Sequence, residues 1–447
     1  VRMGAKVSVI GLGKLGCPLA ACFAANGGEV VGVDMEQRAV DAVNQGKAPT
    51  VETGLQDLMN QLTGNLRATQ DFVDAVTSTD VTFVVVPTPS GEDGTFINDY
   101  VVAACRSIGQ GLKEKSSYHV VTIVSTVMPG STGGVIRQAL EEASGKTCGV
   151  DFGLCYSPAF VALGSVIRNF LRPDYLLIGE SDPKAGETLE QFYQGMCDDE
   201  PRAERMSFVN AELTKLATNA FVSTKITFGN MMAQLCEHLP GADVDIVTSA
   251  LGMDSRIGVK YLKGGIGYGG PCLDRDNVAL VAMAGNIGSE AILAEATDRA
   301  NRLEVSRLVD IIKSKRDTSN TVGVLGLSYK PDTNVIDASQ GVLLAQALGK
   351  EGYPVVAYDP AAMETTKQMV GESVTFAASA ERCIEESAVI VISTPWNCFA
   401  EIRPGLFTGK TADGAPKVLI DCWRMLNAET FAAITDYVPL GIGPEHQ

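Results

Sequence analysis

A glycine pattern near the start of the chain restricts its fold more than any other feature. Val7-Ser8-Val9-Ile10 reads as a strand, Gly11-Leu12-Gly13-Lys14-Leu15-Gly16 follows at once, and the apolar residues to about position 25 read as a helix. A second strand over 29–33 ends in Asp34, eighteen positions past Gly16. Strand, GxGxxG, helix, strand and acid in this order form the frame that binds a dinucleotide. The glycines allow a tight turn, close approach of a pyrophosphate and close helix-on-sheet packing, while the helix amides hold the pyrophosphate. Asp34 would accept hydrogen bonds from the adenosine ribose and repel a 2′-phosphate, which favours NAD over NADP. Gly11, Leu12, Gly13, Gly16 and Asp34 are the expected cofactor contacts.

The alternation then continues. Residues 81–86 form a strand running into Pro87-Thr88-Pro89, a crossing loop expected near the cofactor, so Pro87 and Thr88 join the cofactor set. A helix over 99–112, a strand over 119–124 and short strands at 153–156 and 175–179 complete the pattern. It predicts a doubly wound parallel sheet in a dinucleotide-binding domain over 1–205. Residues 210–237 change character, with helical apolar spacing and Gly229 as the one glycine. Lys215 and Asn219 stand four apart there and share a helix face. Helices continue to about residue 312, giving a helical middle domain over 206–312.

The middle domain holds the densest glycine run, Gly264-Gly265-Ile266-Gly267-Tyr268-Gly269-Gly270-Pro271-Cys272. Five glycines in seven residues suit neither helix nor packed strand, but let backbone bend tightly and approach something closely. A helix pattern begins just after Cys272, and a helix N-terminus favours the thiolate form of a cysteine placed there. The expectation is a nucleophile beside an anion-accepting loop, with Asp276 one turn further on.

From the polar run at 313–320 onward the strand–helix alternation returns over 313–447. Strands are expected at 321–327, 355–358, 389–392 and 418–420, with a helix at 339–348. The second of these strands closes on Asp359, as the second strand of the chain closes on Asp34. The first turn, Gly326-Leu327-Ser328-Tyr329-Lys330-Pro331, has too few glycines for GxGxxG, so this Rossmann-like domain need not bind a dinucleotide. The whole reads as two Rossmann-like doubly wound parallel-sheet α/β domains joined by a long central helix and a helical middle domain.

Charge and composition exclude other classes. With 36 basic against 53 acidic residues the net charge is −17, which leaves no cationic field to hold nucleic acid or an anionic membrane. The 447 residues are 45% apolar, no apolar run reaches spanning length, and no signal-peptide pattern opens the chain. The eleven cysteines show no CxxC and lie mostly in apolar runs, as in a reducing compartment, so a cytoplasmic location is expected. Three histidines, His119, His238 and His446, form no cluster, which argues against a metal site and a serine–histidine triad.

The ordered blocks resemble the UDP-glucose/GDP-mannose dehydrogenase family over essentially the whole chain. They are Gly11 to Gly16, Ser125-Thr126-Val127 with Pro129-Gly130, Glu212 through Lys215 to Asn219, and Gly252-Met253-Asp254-Ser255-Arg256. Gly267 to Cys272, Gly326 to Pro331 and Tyr358-Asp359-Pro360 follow. The resemblance implies oxidation of the C6 hydroxyl of a nucleotide sugar, a UDP-sugar above all, to a carboxylate with two NAD and no metal. It implies that Cys272 captures the aldehyde and carries a thioester. Lys215, Asn219, Asp276 and a water near Thr126 would manage the alcohol proton and the oxyanion. Arg275 and Thr126 would lie by the cofactor, and Phe160, Arg256, Tyr261, Gly269, Tyr329 and Lys330 would contact the nucleotide sugar. Family members dimerise through the long central helix, so a homodimer is expected.

Three departures stand out. Ser157-Pro158-Ala159-Phe160-Val161-Ala162-Leu163-Gly164 replaces the family's Asn-Pro-Glu-Phe-Leu-x-Glu-Gly. Ala159 therefore stands where the resemblance implies a glutamate that assists thioester hydrolysis, and Leu163 where it implies a second carboxylate. Asp337 replaces a cofactor-side arginine. These changes raise two further readings: a single oxidation or acyl transfer on an unusual substrate, and a nucleotide-binding member without catalysis.

Overall fold

The computed structural model describes residues 6–371, 374–409, 411 and 414–444, so His446 lies outside the described residues. The chain divides into two compact units, Val1–Ala217 and Thr218–Gln447.

In the first unit eight strands form one sheet. They are β1 (Lys6–Ile10), β2 (Glu29–Val33), β3 (Leu66–Thr69), β4 (Val81–Val84), β5 (Val120–Ile123), β6 (Gly153–Tyr156), β7 (Leu176–Glu180) and β8 (Ala203–Met206). Their order is β3-β2-β1-β4-β5-β6-β7-β8. The pairs run parallel except β6 with β7, where Cys155 faces Glu180 in an antiparallel register, so the sheet is not wholly parallel as its alternation suggests. The central strands β4 (Val-Thr-Phe-Val) and β5 (Val-Val-Thr-Ile) are buried along their whole length, each with one threonine among apolar residues, so neither shows a polar–apolar alternation.

The switch in strand order from β1 to β4 opens a crevice at the C-terminal ends of these strands. The helix Gly16–Ala25 starts there, and Gly11 N donates to Val33 O at 2.7 Å, which turns the chain out of β1.

The second unit holds six parallel strands in the order β11-β10-β9-β12-β13-β14. They are β9 (Val322–Leu325), β10 (Val355–Tyr358), β11 (Thr375–Phe376), β12 (Val389–Ile392), β13 (Val418–Asp421) and β14 (Asp436–Pro439). Ahead of them come the helices Val244–Gly252, Leu273–Asn286 and Ile292–Lys315. The last of these passes three residues into the polar run that the sequence suggests as a boundary. The 30-residue helix Phe208–Glu237 begins in the first unit and ends in the second.

The two sheets share one plan. Gly326 N donates to Tyr358 O at 2.9 Å, repeating the Gly11 turn. A Cβ on Gly16 would overlap the Gly11 carbonyl oxygen, and a Cβ on Gly341 would overlap that of Gly326. The helix-packing glycine of the second fold is therefore Gly341, and residues 327–340 stand as a long insertion where the first fold has only the four residues 12–15.

Candidate functional site

The candidate residues fall into two groups, one in each unit. In the first, Gly11 has φ +94°, and a Cβ there would sit 2.6 Å from Val85 O. Gly13 is exposed and faces open space, so a ligand can approach its backbone. The helix Gly16–Ala25 has no side-chain cap at its N-terminus; Cys17 N and Leu19 N donate to Gly13 O and Leu15 O and Pro18 has no N–H, so an anion would be met by the backbone of the turn Gly13–Gly16 ahead of them. Asp34 accepts from Leu12 N at 2.7 Å and Glu36 N at 2.9 Å, and it keeps partial exposure. Open glycine, uncapped helix and partly exposed carboxylate together fit the pyrophosphate and ribose of a dinucleotide.

Beside this crevice the Thr88 hydroxyl donates to Thr126 O at 2.7 Å, tying the segments that follow β4 and β5, while Pro87 is exposed. Ser125 Oγ donates to Val86 O at 2.6 Å and strengthens the same tie. Glu212, at 0% exposure, accepts from Gly130 N at 2.6 Å and Thr132 N at 2.8 Å. Burial pushes its carboxyl above the usual carboxylate range, against the pull of these amides. This carboxylate locks the start of the long helix to the loop after β5. Its role was not assigned from the sequence, where Glu212 is one polar position in a helix.

Lys215 follows three residues on and is buried. Its ammonium donates to Ala159 O at 2.9 Å and stands 4.6 Å from the centroid of the Phe160 ring. Phe160 in turn packs on Tyr175, with ring centroids 5.3 Å apart. The side chains of Ala159, Val161 and Leu163 pack against the apolar core of this unit. Glu52 reaches the end of the segment, accepting from Gly164 N at 2.8 Å and Val166 N at 2.9 Å.

In the second unit Cys272 is exposed and is the N-cap of the helix Leu273–Asn286. Asp276, one turn on and 1% exposed, accepts from Asn219 Nδ2 at 2.6 Å. Arg275 Nε lies 3.8 Å from the other Asp276 oxygen. A neighbouring cation and a short amide bond thus orient a buried carboxylate at the start of the cysteine helix. Asp274, in the same turn, has its carboxyl pushed up by burial and by Asp298.

The glycine run itself is buried, which departs from a loop open to an anion. What its backbone approaches is protein: a Cβ on Gly269 would overlap Ala338 O, and one on Gly270 would come within 2.6 Å of the Tyr329 ring. Polar side chains tie it further. Asn230 accepts from Gly265 N at 2.9 Å and donates to Ile266 O at 2.8 Å, and Arg424 donates to Gly264 O at 2.7 Å. Gly270 N donates to Asp337 O at 2.7 Å, so the backbone of Asp337 serves the cysteine loop while its side chain is exposed.

Tyr329 and Lys330 are half-buried on the insertion 327–340. The insertion starts on Asp359, whose Oδ2 accepts from Leu327 N at 2.7 Å, Ser328 N and Ser328 Oγ at 2.9 Å each, and Trp396 Nε1 at 3.1 Å. Asp359 is 1% exposed. Its acceptor capacity is used internally, unlike that of Asp34. Arg256 is exposed and paired with Asp254 at 2.6 Å, and Tyr261 is exposed at φ +66°. Among the described residues no cluster of three or more His, Cys, Asp or Glu could hold a metal, and no helix is long and apolar enough to cross a membrane.

Residues 5–197 match the model described as UDP-glucose/GDP-mannose dehydrogenase family, NAD binding domain; residues 209–303 match its central domain and 323–428 its UDP binding domain. The UDP-glucose 6-dehydrogenase AglM of Haloferax volcanii is 36% identical over 401 residues, 89% of this chain and 93% of the relative. The GDP-mannose 6-dehydrogenase of Pseudomonas aeruginosa is 36% identical over 79% of this chain and 81% of its own length. A UDP-glucose dehydrogenase structure from Pyrobaculum islandicum superposes with TM-score 0.89 at 31% identity, covering 99% of this chain and 98% of that one.

Proposed function

This chain belongs to the UDP-glucose/GDP-mannose dehydrogenase family, and on that premise we propose how its residues divide the work of an NAD-dependent nucleotide-sugar 6-dehydrogenase. NAD, when bound, would supply the hydride acceptor for both oxidations of the C6 carbon, the second of them at the stage where that carbon is held by Cys272. Gly11, Leu12, Gly13 and Gly16, with the backbone of their turn at the helix start, would hold its pyrophosphate, and Asp34 its ribose. Pro87, Thr88, Thr126 and Arg275 complete the cofactor set.

Lys215 and Asp276 handle the proton that leaves the C6 hydroxyl. Asn219 aims Asp276 and donates to the developing oxyanion, and Thr126 positions a water. The Cys272 thiol loses its proton and its sulfur adds to the C6 aldehyde carbon, giving the thiohemiacetal. After the second oxidation water attacks the thioester carbonyl, the C–S bond breaks, and the uronate leaves with the thiol restored. Tyr329, Lys330, Tyr261, Arg256, Gly269 and Phe160 hold the nucleotide sugar. A UDP-sugar is the proposed substrate, supported by the UDP binding domain description of residues 323–428.

The observation that carries this reading is Cys272, exposed at the start of a helix whose first turn holds Asp276, bonded to Asn219 of the long helix. A panel of nucleotide sugars read by NADH release tests it, and no release with any of them would remove it. The division 1–205, 206–312 and 313–447 into cofactor, central and nucleotide-binding domains is part of the same proposal, as is a cytoplasmic location. So is a homodimer, supported by the exposed apolar residues Leu213, Phe221, Phe228, Met231 and Leu235 on the long helix.

The departure at Ala159 predicts a slow last step, because residues 157–164 carry no carboxylate to activate water. A burst of NADH followed by a slower steady rate is then expected, with a Cys272 adduct visible by intact mass. A linear time course without an adduct counts against it.

A further inference from the structure

One buried side-chain amide touches both flanks of Cys272. Asn301, on the helix Ile292–Lys315 and 4% exposed, accepts from Tyr268 N at 2.8 Å and donates to Tyr268 O at 3.0 Å. The same Nδ2 lies 3.3 Å from Asp274 Oδ1. Tyr268 precedes the cysteine by four residues and Asp274 follows it by two. A carboxamide both accepts from an N–H and donates to a C=O of one residue, as a neighbouring strand would, whereas an ionised carboxylate only accepts. Gly267 makes the approach possible, because a Cβ there would stand 2.6 Å from Asn301 Oδ1 and 2.7 Å from Gln340 Oε1.

The surrounding backbone is strained in the same place. Among the described residues the non-glycine positions with positive φ are Tyr261, Asp332, Ala338 and Arg424. Tyr261 leads into the glycine run, Ala338 presents its carbonyl to Gly269, and Arg424 holds Gly264 O. Strain of this kind persists where surrounding structure over-determines a conformation, and functional loops concentrate it.

We propose that Asn301 is the positioning residue of the cysteine turn: its amide fixes the backbone that presents the Cys272 thiol without itself touching substrate. The proposal rests on Cys272 being the nucleophile. The charged and titratable groups around the amide are Asp274 on the cysteine helix, Asp298 with its partner Arg302 on Asn301's own helix, and the Tyr268 phenol; Gln340, also bonded to Tyr268 O, is neutral.

Asn301→Asp tests it. A buried carboxyl beside Asp274 holds its proton to higher pH than an exposed one. Protonated, it can donate to Tyr268 O as the amide does; ionised, it cannot, and it repels both that oxygen and Asp274. Iodoacetamide labelling of Cys272, mapped by mass spectrometry, should be slowed by about tenfold relative to wild type near pH 8.5, with kcat falling alike and the KM for NAD unchanged. Lowering the pH toward 6 should bring the variant-to-wild-type ratio back up. A ratio that is flat with pH overturns the proposal. Gly267→Ala, which pushes on the same amide, is expected to slow labelling as well, and unaltered labelling in that folded variant also counts against it. If Cys272→Ser abolishes turnover while Asn301→Asp changes nothing, only the positioning role fails. If Cys272→Ser leaves turnover intact, the nucleophile reading fails with it.

Discussion

Asp34 and Asp359 occupy matching places in two folds of one plan and have opposite fates. Asp34 accepts two backbone amides and stays partly open. Asp359 is sealed: Oδ2 takes four donors and Oδ1 takes Ala361 N and Ala362 N at 2.8 Å each. One NAD per chain is therefore expected. Asp34→Ala should raise the KM for NAD by about tenfold or more, the effect of losing a charged hydrogen bond, and steady-state kinetics with NAD varied will check it.

A second residue-scale prediction concerns His119. Its Nδ1 faces Thr79 O at 3.1 Å and so carries the proton, leaving Nε2 to accept from the Thr82 hydroxyl at 2.8 Å. Burial, with Lys115 adding to it, lowers its pKa to about 3 from 6.5. The unfolded chain therefore binds the proton first, and this contribution to stability is lost as pH falls from 6.5 toward 3. The unfolding free energy of the wild type should drop more steeply than that of His119→Gln, by about 1.4 kcal/mol per pH unit within that window. Equal slopes in urea titrations would contradict it.

At the scale of elements, the first turn was legible because its spacing carries its physics. Gly16→Ala puts a methyl on the Gly11 carbonyl, and overpacking of that kind costs about 1–3 kcal/mol and should weaken NAD binding with it. A thermal melt with a parallel NAD titration reads both. The second turn was only half legible. Gly326 and Asp359 were visible, but fourteen residues separate Gly326 from its packing partner Gly341, and no motif spans such a loop. The edge strands Thr375–Phe376 and Asp436–Pro439 escaped notice for another reason. They are two to four residues long and half-exposed, so their pairing is decided by the neighbouring strand rather than by their own pattern.

The glycine–cysteine stretch shows the same limit. Its composition announced close approach, but the partners that approach it come from Asn230, Asn301, Ala338 and Arg424, spread over nearly two hundred positions. A buried asparagine in a helix looks like any polar residue in sequence. Only the fold shows that its amide meets the loop.

At the scale of the whole molecule, Phe221, Phe228 and Leu235 recur every seven residues along the exposed side of the long helix. An apolar stripe of this spacing suits a second copy of the chain. Light scattering should give a dimer for the wild type, and Phe221→Glu should shift it toward monomer; a monomeric wild type would remove the dimer. The catalytic account is set by a sharper number. NADH formed per nucleotide sugar consumed by the intact enzyme, with the product identified by mass spectrometry, should be two, with a uronate as product. One NADH with a released aldehyde, or none with any nucleotide sugar, would contradict it.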